Sequence, residues 1–310
     1  TRALMKKITL IASLIAICTS PSFANEFVTK SKDLPFPVAE LKNAGFSLEG
    51  LKRIDAFFAS EIEKKRLPGS VIGIVRDGKL VYLKAHGTIN PETQAPMQID
   101  SIFGLASMTK PMVATGALTL TQQGKLPLFS KVVDYYPEIG QMKVAVKKPD
   151  GTVALENPKR AITIQDLMRH TSGLTYGGRA DTSGATLAQY PAGGELPSMK
   201  GATEFVQRIS ALSLVYQPGT VFEYSTSFEM LGAVIEKTTG QSLDNYLRKS
   251  IWTPLGMKDT GFHVPAASKT RQAHPFKLNP LDGKPQKIET LDNDSTFECG
   301  GGCSLGTVPD

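Results

Sequence analysis

The sequence predicts an α+β fold with a helical insertion, and two observations carry that reading. A helix followed by a β-hairpin opens the chain, and a helix-rich middle gives way to a tail punctuated by proline and glycine, with no alternation of strand and helix. A parallel nucleotide-binding sheet is therefore disfavoured. With 41% hydrophobic and 21% charged side chains over 310 residues, the chain can bury a sizeable core, and disorder, collagen and coiled coil are excluded.

At the start, Lys6 and Lys7 follow Met5, residues 8–17 are apolar, and Ser22-Phe23-Ala24 follows. This is the layout of a secretory signal peptide cut after Ala24, too short to span a membrane. Thr1 to Leu4 lie upstream of that start, so the frame reads as open at this end. The expected destination is the periplasm or the exterior, with no stable membrane insertion. Of the formal net charge of +6, half comes from Arg2, Lys6 and Lys7, and the remaining excess gives no warrant for nucleic-acid binding.

Beyond a polar stretch over residues 25–43, Leu51, Ile54, Phe57, Phe58 and Ile62 recur at helical spacing behind a Ser47 cap. Two β-rich runs within residues 65–87 flank Asp77-Gly78, a strong hairpin signal, and Asp150-Gly151 joins the shorter runs 142–147 and 152–155. Between them, residues 107–123 are helical and closed by Gly124. Thr163 and Asp166 form a capping box for a short helix carrying Ile164, Leu167 and Met168. The Gly/Ser/Thr/Pro-rich stretch 172–201 is long enough to line a site. Further helices are marked by Phe205, Ile209 and Leu212, by Leu231, Val234 and Ile235, and by Leu243, Tyr246 and Leu247.

Ser107 and Lys110, three apart at the start of a helix, share one face about 5–6 Å apart at Cβ. A serine hydroxyl is a poor nucleophile alone. A desolvated lysine can take its proton, and a helix N-terminus favours the developing negative charge. Tyr224 is the second candidate, because a tyrosine hydroxyl beside an ammonium can relay a proton. The bland alternatives are an exposed serine and lysine at a cap, and a core tyrosine with a satisfied hydroxyl. Ser107 to Lys110 is the sole Ser-x-x-Lys in the chain.

Five ordered segments then resemble one family: RLPG with the hairpin at 66–87, ASMTKP around Ser107, LMRHTSGL at 167–174, QPGTVFEYS at 217–225 and PLGMKDTGF at 254–262. Over residues 45–310 the chain resembles the serine β-lactamase and penicillin-binding-protein-like hydrolases of class C type, which include D-amino-acid peptidases and family VIII carboxylesterases. The resemblance implies the β-lactamase/DD-peptidase-like fold, an antiparallel sheet flanked by helices plus a mostly helical region. It implies an α/β part over about 45–100 and 230–310 and a helical part over about 101–229, all within a domain spanning 25–310. By the same resemblance Ser107 is the nucleophile of an acyl-enzyme, Lys110 and Tyr224 act together as general base and acid, and the Ser107 N–H is one oxyanion donor. Neither a metal nor an organic cofactor is called for.

Two departures matter. The family usually has Tyr-x-Asn where this chain has Tyr224-Ser225-Thr226, and Thr226 cannot offer both amide donor and acceptor. That weakens the β-lactamase and peptidase readings more than the esterase reading. The family's third motif, a Lys-Thr-Gly, His-x-Gly or Trp-Gly-Gly strand, is not found, and Lys237-Thr238-Thr239-Gly240 is a helix end with Gly240 as its cap. The sequence is accordingly read as C-terminally truncated, with the last strands missing and poor folding expected of residues 1–310 alone.

Gly302-Cys303-Ser304-Leu305-Gly306 imitates a Gly-x-Ser-x-Gly elbow, but an elbow needs a buried strand before it and an acid and a histidine after it, whereas here glycines precede it and the sequence runs only to Asp310. His170 is read as a structural core histidine. Cys299 and Cys303, separated by three glycines, are either a disulfide or two free thiols. Four scattered histidines lack metal-ligand spacing. The leading expectation is a serine hydrolase cleaving small carboxylic esters. The alternatives are a β-lactamase or D-amino-acid peptidase acting on amides, and a non-catalytic penicillin- or peptidoglycan-binding module.

Overall fold

The computed structural model describes residues 25–32, 34–177, 190–286 and 296–310. The expected signal peptide and part of the 172–201 stretch lie outside them. Helix α1 (Leu48–Glu63) starts where Ser47 Oγ accepts the Gly50 N–H at 2.9 Å, so the expected cap forms. Strands β1 (Gly69–Arg76) and β2 (Lys79–Asn90) pair antiparallel down to Arg76 opposite Lys79. Asp77 and Gly78 between them both take positive φ, as a two-residue turn matching the strand twist requires.

The polar stretch before α1 is more ordered than its composition suggests. Leu83 N–H donates to Phe27 O, Thr29 N–H to Leu83 O, and Ala39 N–H to Leu80 O, so these residues pair with the edge of β2 that β1 leaves open. Strand β3 (Ala95–Pro96) continues along that edge. Phe27, Leu51, Val81 and Tyr82 form one small cluster on the sheet, and Val28, Leu80 and Leu83 another. The apolar stripe of α1 is covered only in part: Leu51 is fully buried, whereas Phe57 is 57% exposed.

Strand β4 (Phe103–Gly104) leads through a 3-10 turn at Ala106–Met108 into α2 (Thr109–Gln122). The hairpin of β5 (Val144–Lys147) and β6 (Val153–Glu156) follows, then α3 (Ile164–Met168), opened by the Thr163/Asp166 capping box. Helix α4 (Ala202–Ser210) ends two residues before Leu212, the last of its expected markers. Helix α5 (Ser227–Thr239) closes at Gly240 in the left-handed conformation, and α6 (Leu243–Leu247) runs through a π turn at Arg248–Trp252 into α7 (Thr253–Leu255).

Helix α5 is the axis of the larger core. Helices α2, α3, α4 and α6 all pack on it, and its residues from Ser227 through Ile235 are all buried. Gly116 of α2 lets α6 approach: a Cβ there would sit 2.6 Å from Leu247 Cδ2, and the Gly116 carbonyl accepts the Tyr246 hydroxyl at 2.9 Å. Strand β7 (Leu305–Gly306) pairs antiparallel with β4, Phe103 opposite Gly306, and so brings the glycine-rich loop 299–303 beside the start of α2. Among the described residues no helix is long and apolar enough to cross a membrane.

Candidate active site

The turn between β4 and α2 presents Ser107 at the surface. Ala106 before it has φ +45, a left-handed conformation that costs a residue with a Cβ about 1–2 kcal/mol. Its place is fixed by its surroundings: Leu105 N–H donates to Ser304 O at 2.9 Å, and Thr109 Oγ1 bonds both the Ala106 carbonyl and Ser304 Oγ at 2.7 Å. Ser304 is 1% exposed and thus ties the loop to α2. The Gly-x-Ser-x-Gly imitation carries a structural hydroxyl, set just before a strand.

Ser107, Lys110 and Tyr224 come together as the spacing and the resemblance imply. Ser107 Oγ lies 2.6 Å from Tyr224 Oη, either atom able to donate. Lys110 Nζ donates to Ser107 Oγ at 3.3 Å and to the Gly301 carbonyl at 2.6 Å. Lys110 is buried, 7% exposed, with its ammonium 4.5 Å from the centre of the Tyr224 ring and about 6 Å from those of Tyr176 and Phe228. Three aromatic rings thus surround the end of the lysine side chain.

Tyr224 is held from behind. His170, itself left-handed at φ +54, packs its ring 4.7 Å from that of Tyr224. Its Nδ1 accepts the Ser225 N–H at 3.2 Å, so the neutral ring carries its hydrogen on Nε2. The histidine thus packs within the core, one ring away from the Tyr224 hydroxyl. The turn bearing His170 is fastened by Asp166, which accepts from Arg160, Thr163 and Thr171. Burial works to raise the Asp166 pKa, but these bonds outweigh it and bring the carboxyl down to about 2.

Three contributors went unread in the sequence: Glu229, Tyr176 and the Gly301 carbonyl. Glu229, fully enclosed in the first turns of α5, receives the Tyr176 hydroxyl on both oxygens at 2.9 and 3.1 Å. Burial pushes its carboxyl up to about 7, against the pull of Lys110, its backbone and Tyr176. The third is the Gly301 carbonyl. Three glycines in a row signalled only a flexible link, whereas the loop is closed by a disulfide between Cys299 and Cys303, Cα atoms 5.2 Å apart. Of the two alternatives left by the cysteine spacing, the structure has the bridge. A lone acid in the otherwise apolar run Phe228-Glu229-Met230-Leu231 was the one signal that could have exposed Glu229.

Thr226 turns its hydroxyl into the fold. It is fully buried, and its hydroxyl donates to the Thr175 carbonyl at 3.3 Å. No amide at this position takes part in the arrangement around Ser107.

A profile of the family described as Beta-lactamase matches residues 54–302. The chain belongs to the beta-lactamase family. Esterase EstB of Burkholderia gladioli is 33% identical over 263 residues, which are 82% of this chain and 61% of EstB. Simvastatin synthase (LovD) of Aspergillus terreus, unliganded, superposes with a TM-score of 0.67 at 26% identity, covering 83% of this chain and 65% of that one. A class C beta-lactamase, at 20% identity and a TM-score of 0.60 over 83% of this chain and 60% of its own, shares the fold. The chain thus spans about three fifths of the length of these family members, and the expected α+β, β-lactamase-like architecture holds.

Proposed function

We propose that this member of the beta-lactamase family is a serine hydrolase that cleaves small carboxylic esters through an acyl-enzyme on Ser107. The observation that carries the reading is the exposed Ser107 hydroxyl within hydrogen-bond reach of both Tyr224 Oη and Lys110 Nζ. In the form in which the Tyr224–Lys110 pair lacks one proton, as a tyrosinate beside the ammonium or a phenol beside a neutral amine, Ser107 Oγ adds to the ester carbonyl carbon while its proton passes to that pair, and the carbonyl electrons move onto oxygen. Collapse expels the alcohol, which takes that proton. Water repeats the sequence, releasing the carboxylic acid and restoring the serine, so that one hard step becomes two easier ones.

The ester preference is supported by Thr226, whose inward-turned hydroxyl leaves no amide to hold a lactam or peptide bond, and by the likeness to EstB. A periplasmic or secreted location is part of the proposal. It is supported by the signal-peptide layout of residues 5–24 and by a disulfide that suits an oxidising compartment.

Turnover of short-chain nitrophenyl esters and of penicillin, in the protein and in Ser107→Ala, tests the proposal. Rapid ester turnover, slow penicillin turnover and a dead Ser107→Ala are expected. Faster penicillin turnover would replace the ester reading with the amide one, and stable acylation without turnover would favour a binding module.

A further inference from the structure

Glu229 occupies a position where an apolar side chain would fill the space without losing the solvation of a carboxyl. It is 1% exposed, and Phe228, Met230 and Leu231 around it in sequence are buried core residues. What it faces is polar. Tyr176 Oη donates to both carboxyl oxygens, and Gly301 lies so close that a Cβ there would collide with the carboxyl. The carbonyl of that same glycine receives the Lys110 ammonium at 2.6 Å. Glu229 therefore stands directly behind the group that holds Lys110 toward Ser107.

From this geometry we propose that Glu229 is a positioning residue: its carboxylate holds a proton on the Ser107–Lys110–Tyr224 group and, with Tyr176 and Gly301, keeps the Lys110 ammonium directed at Ser107. The proposal rests on the reading of Ser107 as the nucleophile. Around the carboxyl, α2 contributes Lys110 and the segment after α3 contributes Tyr176. The segment before α5 contributes Tyr224, backed by His170, while Glu223 is turned to the Thr175 hydroxyl at 2.9 Å. The loop 299–303 contributes backbone. A negative charge at this place opposes deprotonation of the catalytic group whether the lysine or the tyrosine gives up the proton. The influence is mutual, since Lys110 draws the Glu229 carboxyl down against its burial.

The experiment is the pH profile of kcat/KM for a nitrophenyl ester in the protein and in Glu229→Gln, Glu229→Asp and Tyr176→Phe. In Glu229→Gln the acid limb is expected to move to lower pH by about one unit, the low end of what one neighbouring charge does to a site. Glu229→Asp keeps the charge, so its limb should stay near that of the parent. Tyr176→Phe removes the donor that favours the ionised carboxyl, and its limb should move the same way by less. An unmoved limb in Glu229→Gln, or an equal movement in Glu229→Asp, overturns the proposal. If Glu229→Gln does not fold, Tyr176→Phe decides, and an unmoved limb there overturns it as well. Ser107→Ala separates the two layers: activity surviving in it overturns the site reading, whereas its loss beside an unmoved Glu229→Gln limb overturns the role of Glu229 alone.

Discussion

The two sides of the molecule are packed to different standards. Around α5 the core closes completely, with Phe205, Leu231, Val234, Leu247 and Trp252 at or near zero exposure. On the hairpin side, no residue of β1 is buried, Val75 is 45% exposed and Phe57 of α1 is 57% exposed. The side chains gathered at Ser107 belong to the closed side or its rim: Lys110 on α2 and Tyr224 just before α5, with Glu229 behind them within that helix. The sheet reaches them through the short β4–β7 pair, which sets the entry into α2. Chemistry that depends on tenths of an ångström is mounted on the part of the fold whose side chains have the least room to move.

The sharpest way to break this contrast is at the site. Ser107→Ala should abolish ester turnover with little change in melting temperature, and Lys110→Ala should lower turnover by about 10³-fold or more, as for residues acting as a unit, with a fall in melting temperature as well because its side chain is buried. The next largest effect sets the two sides against each other. Phe205, stacked 5.3 Å from Phe297 in the closed core, should cost about 3–5 kcal/mol when cut to alanine. Phe57→Ala on the open side should stay within about 0.5 kcal/mol. Denaturant melts of the two variants measure the difference, and equal losses would remove the distinction.

A smaller effect concerns Asp166, whose carboxyl lies well below its unfolded value. A depressed acid stabilises the folded state above the unfolded pKa and loses that contribution as pH falls through the folded one. Asp166→Asn should therefore cost about 2 kcal/mol at neutral pH, with the gap to the parent closing between about pH 4 and pH 2. Glu229 and Glu236 act in the opposite sense. Burial pushes both up to about 7, and the neighbouring Glu298 adds to the rise at Glu236. Their ionisation costs the folded state, so melting temperature should drift down between about pH 4.5 and 7. In Glu229→Gln that slope should be shallower.

Much of this arrangement was legible in the residues. Local signals did well where one or two residues decide a shape: the Ser47 cap, the Asp77-Gly78 turn, the Thr163/Asp166 box and the Gly240 stop all stand as expected. Ser107 and Lys110 were readable because helical spacing places them on one face, and Tyr224 because a tyrosine hydroxyl suits proton relay beside a lysine, a choice the family resemblance then supported. What was not legible depends on contacts distant in sequence. The stretch before α1 has no periodicity of its own, yet its backbone completes the edge of β2. Gly301 and Glu229 meet Lys110 only because β7 pairs with β4 and α5 packs on α2, and neither a glycine run nor a single glutamate announces such a partner.

The central claim is that an acyl group passes through Ser107, and trapping it is the most direct test. The protein is mixed with a slowly deacylating nitrophenyl ester, quenched in acid, digested and read by mass spectrometry. The acyl mass is expected on the peptide containing Ser107 and is expected to be absent in Ser107→Ala. An adduct on the peptide containing Ser304, or rapid turnover in Ser107→Ala, would contradict it.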